Sequence, residues 1–287
     1  MTVAAERIAG AFKAACIAEL DALKPGNVHV FAAGHRMTIE QFVQSADAAA
    51  GALSAPGARV GRRILDSVEA TFDAVGTNTN LGVVLLCAPL AAAADSNPSD
   101  LRAALARVLD DLDAEDASLA FRAIVRAAPA GLGRVARNDV TQPAQATLKQ
   151  AMADAADRDR VARQYATVYA DIFEAGLAAL AAAVGRGWDQ KSAVLAVYLG
   201  FLSAFPDSHI VRKYGAPVAV DVQRTATKFH RELQSARDPA HLDAELLTWD
   251  AALKARNINP GTSADLTVAT LFARELATIL PSARNSG

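Results

Sequence analysis

The segment AERIAGAFKAACIAELDALKPG, residues 5–26, carries the pattern on which the fold class depends. Apolar residues recur at every fourth position, at Ile8, Phe12, Cys16 and Leu20. This spacing places the four side chains on one face of an α-helix. Pro25 and Gly26 must end that helix, because proline cannot continue the hydrogen-bonded backbone. The segment therefore predicts a first helix followed by a tight turn.

The same period continues along the chain. Thr38, with Gln41 three residues later, is typical of a capping box that begins a second helix ending near Leu53. Further helices are predicted at about 60–74, 81–94, 101 onward, 116–127, 144–156, 160–184, 189–204, 217–234, 239–255 and 263–280. Alternating strand patterns and hairpin signals are lacking. We therefore expect one all-α domain over residues 1–287, with roughly a dozen helices and a ligand pocket at helix ends.

Composition limits the classes of partner. The 287 residues carry a net charge of −2, so no basic excess indicates binding to nucleic acid or to an anionic membrane. The longest apolar runs, 81–94 and 193–205, are shorter than the ~20 residues that span a bilayer. Glu6 interrupts the N-terminal region, which lacks the pattern of a secretion signal. We expect a cytoplasmic protein that acts on small molecules.

Four connections between apolar helices contain more polar residues than a turn requires. They are KPGNVH (24–29), GTNTNLG (76–82), DSHIVRKYG (207–215) and NPGTSADL (259–266), and we call them the four polar segments. The first is followed by His35 and Arg36. Its lysine, amide and imidazoles could bind phosphate or transfer a proton near neutral pH, or could form only a solvated loop.

The second polar segment precedes an apolar helix. Thr79 or Asn80 could simply cap that helix, but a helix N-terminus flanked by amides and hydroxyls is also typical of phosphate sites. Upstream, Glu69 and Asp73 lie four residues apart on one helical face. They could bind a Mg²⁺ ion that a phosphate also contacts, or they could lie on a solvated face.

The third polar segment combines acidic, imidazole and basic groups. Asp207 and His209 could form an acid/base pair, and Arg212 and Lys213 could neutralise phosphate. The alternative is an aspartate that caps a helix, followed by a basic surface turn.

The fourth polar segment has the features of a helix entry. Ser263 is predicted as the N-cap of the last helix, and Asp265 falls in its first turn. Capping does not explain Asn257 and Asn259 beside it.

At these four segments the chain resembles the triphosphoribosyl-dephospho-CoA synthase family, whose members are all-α enzymes. The likeness covers most of the chain in order, and NPGTSADL is close to the family pattern Pro-Gly-Gly-Ser-Ala-Asp-Leu. Elsewhere the chain departs from the family. Asn80 and Leu81 stand where family members carry His-Lys, and Asp207-Ser208-His209 replaces Asp-Thr-Asn.

The resemblance implies a glycosyl transfer. Family members join the ribose C1 of ATP to the ribose 2′-hydroxyl of dephospho-CoA and release adenine. Such a reaction needs a base, a proton donor for the leaving group and cations for the phosphates. The resemblance implies that the catalytic residues are drawn from Asp207, His29 and His209. The substrate-binding residues would be Lys24, Gly26, Asn27, Asn78, Thr79, Asn80, Arg212, Lys213, Asn259, Gly261 and Ser263. A Mg²⁺ ion that enters with the nucleotide would be held by Glu69, Asp73 or Asp265.

Two alternatives remain open at this point. A related enzyme could transfer a ribosyl phosphate from phosphoribosyl pyrophosphate to another alcohol, such as a methanopterin-type pterin precursor. This would suit the loss of the family lysine at Leu81. A third hypothesis is a non-catalytic, nucleotide-binding helical protein. In every case the expected partners are small nucleotides, with no nucleic acid or membrane, and a homodimer is compatible with the sequence.

Overall fold

The computed structural model describes residues 4–31, 37–129, 133 and 137–281, so His35 and Arg36 lie outside the described residues. The helices are α1 (Ala5–Leu20), α2 (Ile39–Leu53), α3 (Val60–Val75), α4 (Leu81–Asp95), α5 (Leu101–Asp110), α6 (Ala114–Ala127), α7 (Leu148–Ala155), α8 (Arg160–Ala166), α9 (Leu177–Gly185), α10 (Gln190–Ala204), α11 (Ser208–Tyr214), α12 (Ala216–Ser235), α13 (Asp243–Ala255) and α14 (Gly261–Ile279). The described part of the chain contains no β-strand, which confirms the predicted all-α fold.

Helices α4 and α14 form the centre of the core. In α4, 13 of the 15 residues are buried, on every side of the helix. A helix that is apolar all round is stable only when other helices surround it. Helix α14 packs against α1, α4 and α10, so its buried face is also wide. Because both central helices begin at polar segments, their N-terminal ends bring those segments together.

Helix α4 contains a proline whose missing N–H is compensated by a tyrosine. Pro89 cannot donate a hydrogen bond to the Leu85 carbonyl four residues earlier. The buried Tyr165 hydroxyl donates to that carbonyl at 2.6 Å, and the Tyr169 hydroxyl donates to the Leu86 carbonyl at 3.0 Å. Two tyrosines from one neighbouring segment thus satisfy the backbone of α4.

The predicted helix over 160–184 is wrong, and the two tyrosines explain why. Val168 and Tyr169 have positive φ angles of 49° and 56°, a conformation that ends a helix made of non-glycine residues. A π-helix, Asp171–Gly176, follows and leads into α9. The chain bends by 99° at this break, which lets both hydroxyls reach α4.

The helix ends agree in part with the sequence predictions. The capping box of Thr38 and Gln41 is present, and it confirms the predicted start of α2. The predicted N-cap role of Ser263 is wrong, because α14 begins two residues earlier, at Gly261, with Pro260 as the preceding residue. The third polar segment contains the short helix α11, with Asp207 as its N-cap.

No single helix in the described ranges is both long and apolar enough to cross a bilayer. Two sharply bent pairs reach the required length and apolar content only in combination. They are Arg160–Ala166 with Asp171–Gly185, bent by 99°, and Gln190–Ala204 with Ser208–Tyr214, bent by 52°.

Candidate functional site

A cavity of about 1200 Å³ lies where several helix ends meet. The N-terminal ends of α4, α8, α11 and α14 face the C-terminal ends of α1, α3 and α6 around it. All four polar segments contribute to its lining, with Asn27 from the first, residues 76–82 from the second, His209, Val211, Arg212 and Lys213 from the third, and Asn259, Gly261, Thr262, Ala264 and Asp265 from the fourth. The structure thus brings segments from distant parts of the chain to one site.

The second polar segment is fixed by its own side chains. Asn80 is the N-cap residue of α4, but its side chain makes no capping hydrogen bond. The Asn78 side-chain oxygen instead accepts a hydrogen bond from the Leu81 N–H at 3.1 Å. The Asn80 amide donates to the Thr71 hydroxyl at 3.0 Å, and the Thr79 hydroxyl donates to a serine hydroxyl of α2 at 2.6 Å. These contacts hold the start of α4 against α2 and α3, at the edge of the cavity.

Asp265 lies directly against the first turn of α4. A Cβ atom built at Gly82 would be 2.0 Å from one carboxylate oxygen of Asp265. Only glycine therefore allows the carboxylate to occupy this place. The contact joins the N-terminal ends of α4 and α14, the two central helices, and it places an acidic group in the cavity wall.

The pKa of Asp265 is raised well above its usual value. Burial is the largest cause, since it disfavours the charged carboxylate. The negative charges of Asp207, Glu19 and Asp159 raise the pKa further, while Arg212 lowers it. Burial and nearby carboxylates thus raise the proton affinity of Asp265, and a perturbed carboxylate in a cavity wall is a candidate for proton transfer.

Positive charge enters the cavity from α11. The Arg212 guanidinium forms an ion pair with Asp159 at 3.2 Å, and both residues line the cavity. The Lys213 ammonium lies 5.2 Å from the centre of the Tyr214 ring. His209, on the same helix, packs against Gly261, where a built Cβ would be 2.8 Å from its Nδ1 atom. One short helix thus supplies two cations and an imidazole.

Asp207 has a structural position in the fold. It is fully buried and is not one of the residues that line the cavity. One carboxylate oxygen accepts from the backbone N–H groups of His209 and Ile210, at 2.9 and 3.2 Å. The other accepts from the N–H and the hydroxyl of Ser263, both at 2.8 Å. Four hydrogen bonds thus tie α11 to α14, and the roles of Asp207 in catalysis and of Ser263 in substrate binding stay predictions.

Lys24 lies beneath the cavity and does not line it. Its ammonium forms an ion pair with Glu19 at 2.7 Å and donates to the Asn27 side chain at 3.1 Å and to the Val28 carbonyl at 2.6 Å. Three acceptors match the three donors of a lysine ammonium. All three ammonium donors are thus used within the protein, and contact of Lys24 with phosphate stays a prediction. Lys24 holds Glu19 and Asn27, which do line the cavity.

His29 belongs to a second buried group of charges. Its Nε2 atom lies 3.3 Å from Asp250 and 3.3 Å from the Lys254 ammonium, and the latter two form an ion pair at 2.9 Å. Burial lowers the pKa of His29. His29 is not among the cavity-lining residues, and its role as a base stays a prediction.

The first and fourth polar segments are locked together. Gly26 has a positive φ angle of 83°, and a Cβ there would lie 2.8 Å from Pro260. Its N–H donates to Asp250 at 2.8 Å. The Asn27 amide donates to the Asn259 side-chain oxygen at 2.9 Å. Gly26 therefore shapes the turn, and the two asparagines present their side chains at the cavity.

The predicted metal site is not assembled. Glu69 and Asp73 are exposed on α3 and are not among the residues that line the cavity. Across the described residues, no group of three or more His, Cys, Asp and Glu side chains is arranged to hold a metal ion. The acidic pair on α3 therefore lies on a solvated face.

The sequence patterns did not single out several residues of the cavity. Glu19 lies one turn after Cys16 on the apolar face of α1, and an acid within a buried face is a signal that could have been noted. Asp159 accepts hydrogen bonds from two backbone N–H groups at the start of α8. Because its sequence position is that of an ordinary N-cap, the sequence did not indicate that it also lines the cavity. Phe72 and Arg126 follow simple helical patterns, and only the packing of α3 on α6 brings them to the cavity.

Comparisons with known proteins agree with this architecture. The family model CitG, ATP:dephospho-CoA triphosphoribosyl transferase, matches residues 5–283. A crystal structure of a protein from Archaeoglobus fulgidus, named as a triphosphoribosyl-dephospho-CoA synthase, is similar over 80% of this chain and 95% of that chain. Its TM-score is 0.59 and its sequence identity is 24%, so it supports the fold alone. No protein of curated function gives a significant sequence match.

Proposed function

This chain belongs to the ATP:dephospho-CoA triphosphoribosyl transferase family, and we propose that the cavity at the four polar segments is where the transfer takes place. The enzyme joins the ribose C1 of ATP to the 2′-hydroxyl of dephospho-CoA and releases adenine. The observation that carries the assignment of the site is the convergence of all four polar segments on one cavity.

The chemistry sets three requirements. The bond between C1 and the adenine nitrogen breaks, and a bond between C1 and the acceptor oxygen forms. The acceptor hydroxyl loses a proton, and the departing adenine gains one. Positive charge develops at C1 during the exchange, as in glycoside hydrolysis. The site therefore needs a base, a proton donor and groups that bind phosphate.

Asp265 is the base in this proposal. Its carboxylate lines the cavity, is fixed against Gly82, and has a raised pKa caused by burial and by nearby carboxylates. A carboxylate of this kind accepts a hydroxyl proton and stabilises positive charge at C1. His209 is the imidazole that lines the cavity, and it can supply the proton that adenine takes up.

The triphosphate of ATP occupies the end formed by the second, third and fourth polar segments. Arg212 and Lys213 supply two cations there. The N-terminal ends of α4 and α14 lie at the same end, and their dipoles favour anions. Asn78 adds a side-chain amide at the edge of α4. Phosphate binding by these groups leaves the ribose near Asp265.

The described residues do not form a ready-made cluster of three or more ligands for a magnesium ion. Magnesium that enters with a nucleotide keeps most of its water ligands and needs only one or two carboxylates from a protein. Titration of the ion against the rate, at fixed ATP, measures whether the reaction depends on it.

The decisive experiment is incubation with ATP and dephospho-CoA, followed by detection of adenine and of the joined product by mass. We expect both products from the wild-type protein. Asp265→Asn should lower kcat at least a hundredfold with unchanged thermal stability, because a lost base typically costs that much. An Asp265→Asn enzyme with wild-type kcat would remove the assignment. Pyrophosphate released from phosphoribosyl pyrophosphate, without adenine from ATP, would instead support the alternative donor.

A further inference from the structure

One wall of the cavity differs in chemistry from the end where the polar segments meet. It is formed by α3 and α6, which pack together, and by α7, which packs on α6. We call it the apolar wall, and its residues are Phe72, Val75, Phe121, Ile124, Ala151 and Met152. The transfer chemistry proposed above uses none of these residues. We therefore expect this apolar surface to contact a part of a substrate other than the reacting ribose and the phosphates.

An arginine lies over the apolar wall. Arg126, in the last turn of α6, lines the cavity, and its guanidinium carbon is 3.9 Å from the centre of the Phe72 ring. The contact holds the cation flat against the aromatic face and limits its freedom before a ligand arrives. No carboxylate within the described ranges forms an ion pair with Arg126. Arg212, which also lines the cavity, is by contrast paired with Asp159.

We propose that Arg126 and the apolar wall bind the acceptor, with the wall along its pantetheine arm and the guanidinium on its diphosphate. This inference rests on the proposed function. The cavity, at about 1200 Å³, exceeds the usual 300–1,000 Å³ of a site for one small ligand, so it can hold two substrates. The triphosphate of the donor suits the polar end. Only the acceptor carries a long arm of methyl, methylene and amide groups next to a diphosphate.

The position of Arg126 also has an explanation that involves only the stability of α6. A cation in the last turn of a helix complements the negative end of the helix dipole. That role predicts an effect on stability and none on ligand affinity. Arg122, which is exposed on the same helix and does not line the cavity, provides a matched control.

The test uses 4′-phosphopantetheine, which has the arm and a phosphate but lacks the ribose hydroxyl that reacts. It should inhibit in competition with dephospho-CoA and not with ATP. Arg126→Met keeps the apolar contact with Phe72 and removes the charge. It should raise the KM for dephospho-CoA and the Ki of 4′-phosphopantetheine about tenfold, the scale of one lost charged contact. The KM for ATP should stay within twofold, and Arg122→Met should change none of these values.

Two outcomes would overturn the inference. One is a raised KM for ATP with an unchanged KM for dephospho-CoA in Arg126→Met. The other is no change in either KM, with or without lower thermal stability. Calorimetry of 4′-phosphopantetheine binding needs no turnover, so it separates this inference from the proposed function. Absence of adenine from the wild-type reaction counts against the function, and absence of 4′-phosphopantetheine binding counts against the acceptor site.

Discussion

At the scale of single residues, the site depends on a glycine as much as on the acid beside it. The Gly82→Ala substitution would place a methyl group about 2.0 Å from the Asp265 carboxylate, so the acid or the start of α4 must move. We expect kcat/KM to fall at least tenfold, because small displacements of a catalytic group are costly. Gly51→Ala is the control, since no atom lies within 4 Å of a Cβ there. Equal activity of the two variants would contradict the role of Gly82.

Lys24 permits a second test at the same scale. Lys24→Met leaves the carboxylate of Glu19 buried beside the cavity without its cation. Removal of one partner of a buried pair typically lowers the free energy of unfolding by about 3–5 kcal/mol. The matched variant is Lys13→Met, whose pair with Asp47 joins side chains that are 46% and 61% exposed.

Urea unfolding of both variants measures the difference. The change for Lys13→Met should stay below about 1 kcal/mol, as is usual for surface pairs. A similar small change for Lys24→Met would show that Glu19 finds another partner or becomes protonated without cost.

Asp207 and Asp265 illustrate which properties of a site residue can be predicted from sequence patterns and which cannot. Asp207 and Asp265 were both identified from the sequence as candidates for the site. Periodicity and capping rules place each one in a first turn or at a helix start, but they do not say which way the carboxylate points. The structure turns Asp207 toward Ser263 and Asp265 toward Gly82. The direction of each carboxylate depends on how α14 packs against α4 and α11. This packing joins residues far apart in the sequence, so local patterns do not predict it.

At the scale of helices, the break between α8 and α9 is linked to the proline in α4. Tyr165→Phe leaves the buried Leu85 carbonyl without its hydrogen bond, because Pro89 has no N–H to offer. We expect a loss of about 1–3 kcal/mol in the free energy of unfolding. In a Pro89→Ala background the alanine N–H can donate to the Leu85 carbonyl, so the same substitution should cost less.

A double-mutant cycle of Pro89→Ala and Tyr165→Phe, followed by chemical denaturation, measures this coupling. Additive effects within about 0.5 kcal/mol would mean that the tyrosine hydroxyl and the proline are independent. A positive coupling would show that the bend at Val168 and Tyr169 serves the backbone of α4.

Most helices could be predicted because their apolar periods and caps are local signals. The capping box of Thr38 and Gln41 is an example, since it depends on a neighbour three residues away. The stop predicted at Pro25 is less accurate, because α1 already ends at Leu20. The bend after Tyr165 could not be predicted in the same way. Its alanine-rich surroundings favour a continuous helix, and the preference is overridden by hydrogen bonds to residues 80 or more positions distant.

At the scale of the whole molecule, two buried charged groups support the cavity from below. One contains Lys24 and Glu19, and the other contains His29, Asp250 and Lys254. Each contains one residue of the first polar segment, which Lys24 joins to α1 and His29 joins to α13. Their cost in desolvation is offset by ion pairs and hydrogen bonds that hold Asn27 and Gly26 in place. Apart from Glu19, the members of these two groups do not line the cavity, so they support it from within the protein.

This arrangement predicts a pH-dependent contribution of His29 to stability. Burial lowers the pKa of His29 below its ordinary value of 6.5, and Lys24 and Lys254 lower it further, against the opposing effect of Asp250. The unfolded chain therefore binds a proton at His29 before the folded protein does. The contribution of His29 is fully present above pH 6.5 and is lost as the pH falls through that value. His29→Asn should thus destabilise the protein at pH 8 and do so progressively less toward pH 5.

Urea unfolding of the wild type and the variant at several pH values measures that difference directly. The comparison is needed because Asp207 and Asp265, whose pKa values are raised, contribute with the opposite sign in the wild-type curve. These contributions are common to both proteins and cancel in the difference. His241→Asn, at an exposed histidine, controls for general effects of losing an imidazole. If the cost of His29→Asn is constant between pH 8 and pH 5, then His29 does not couple folding to protonation.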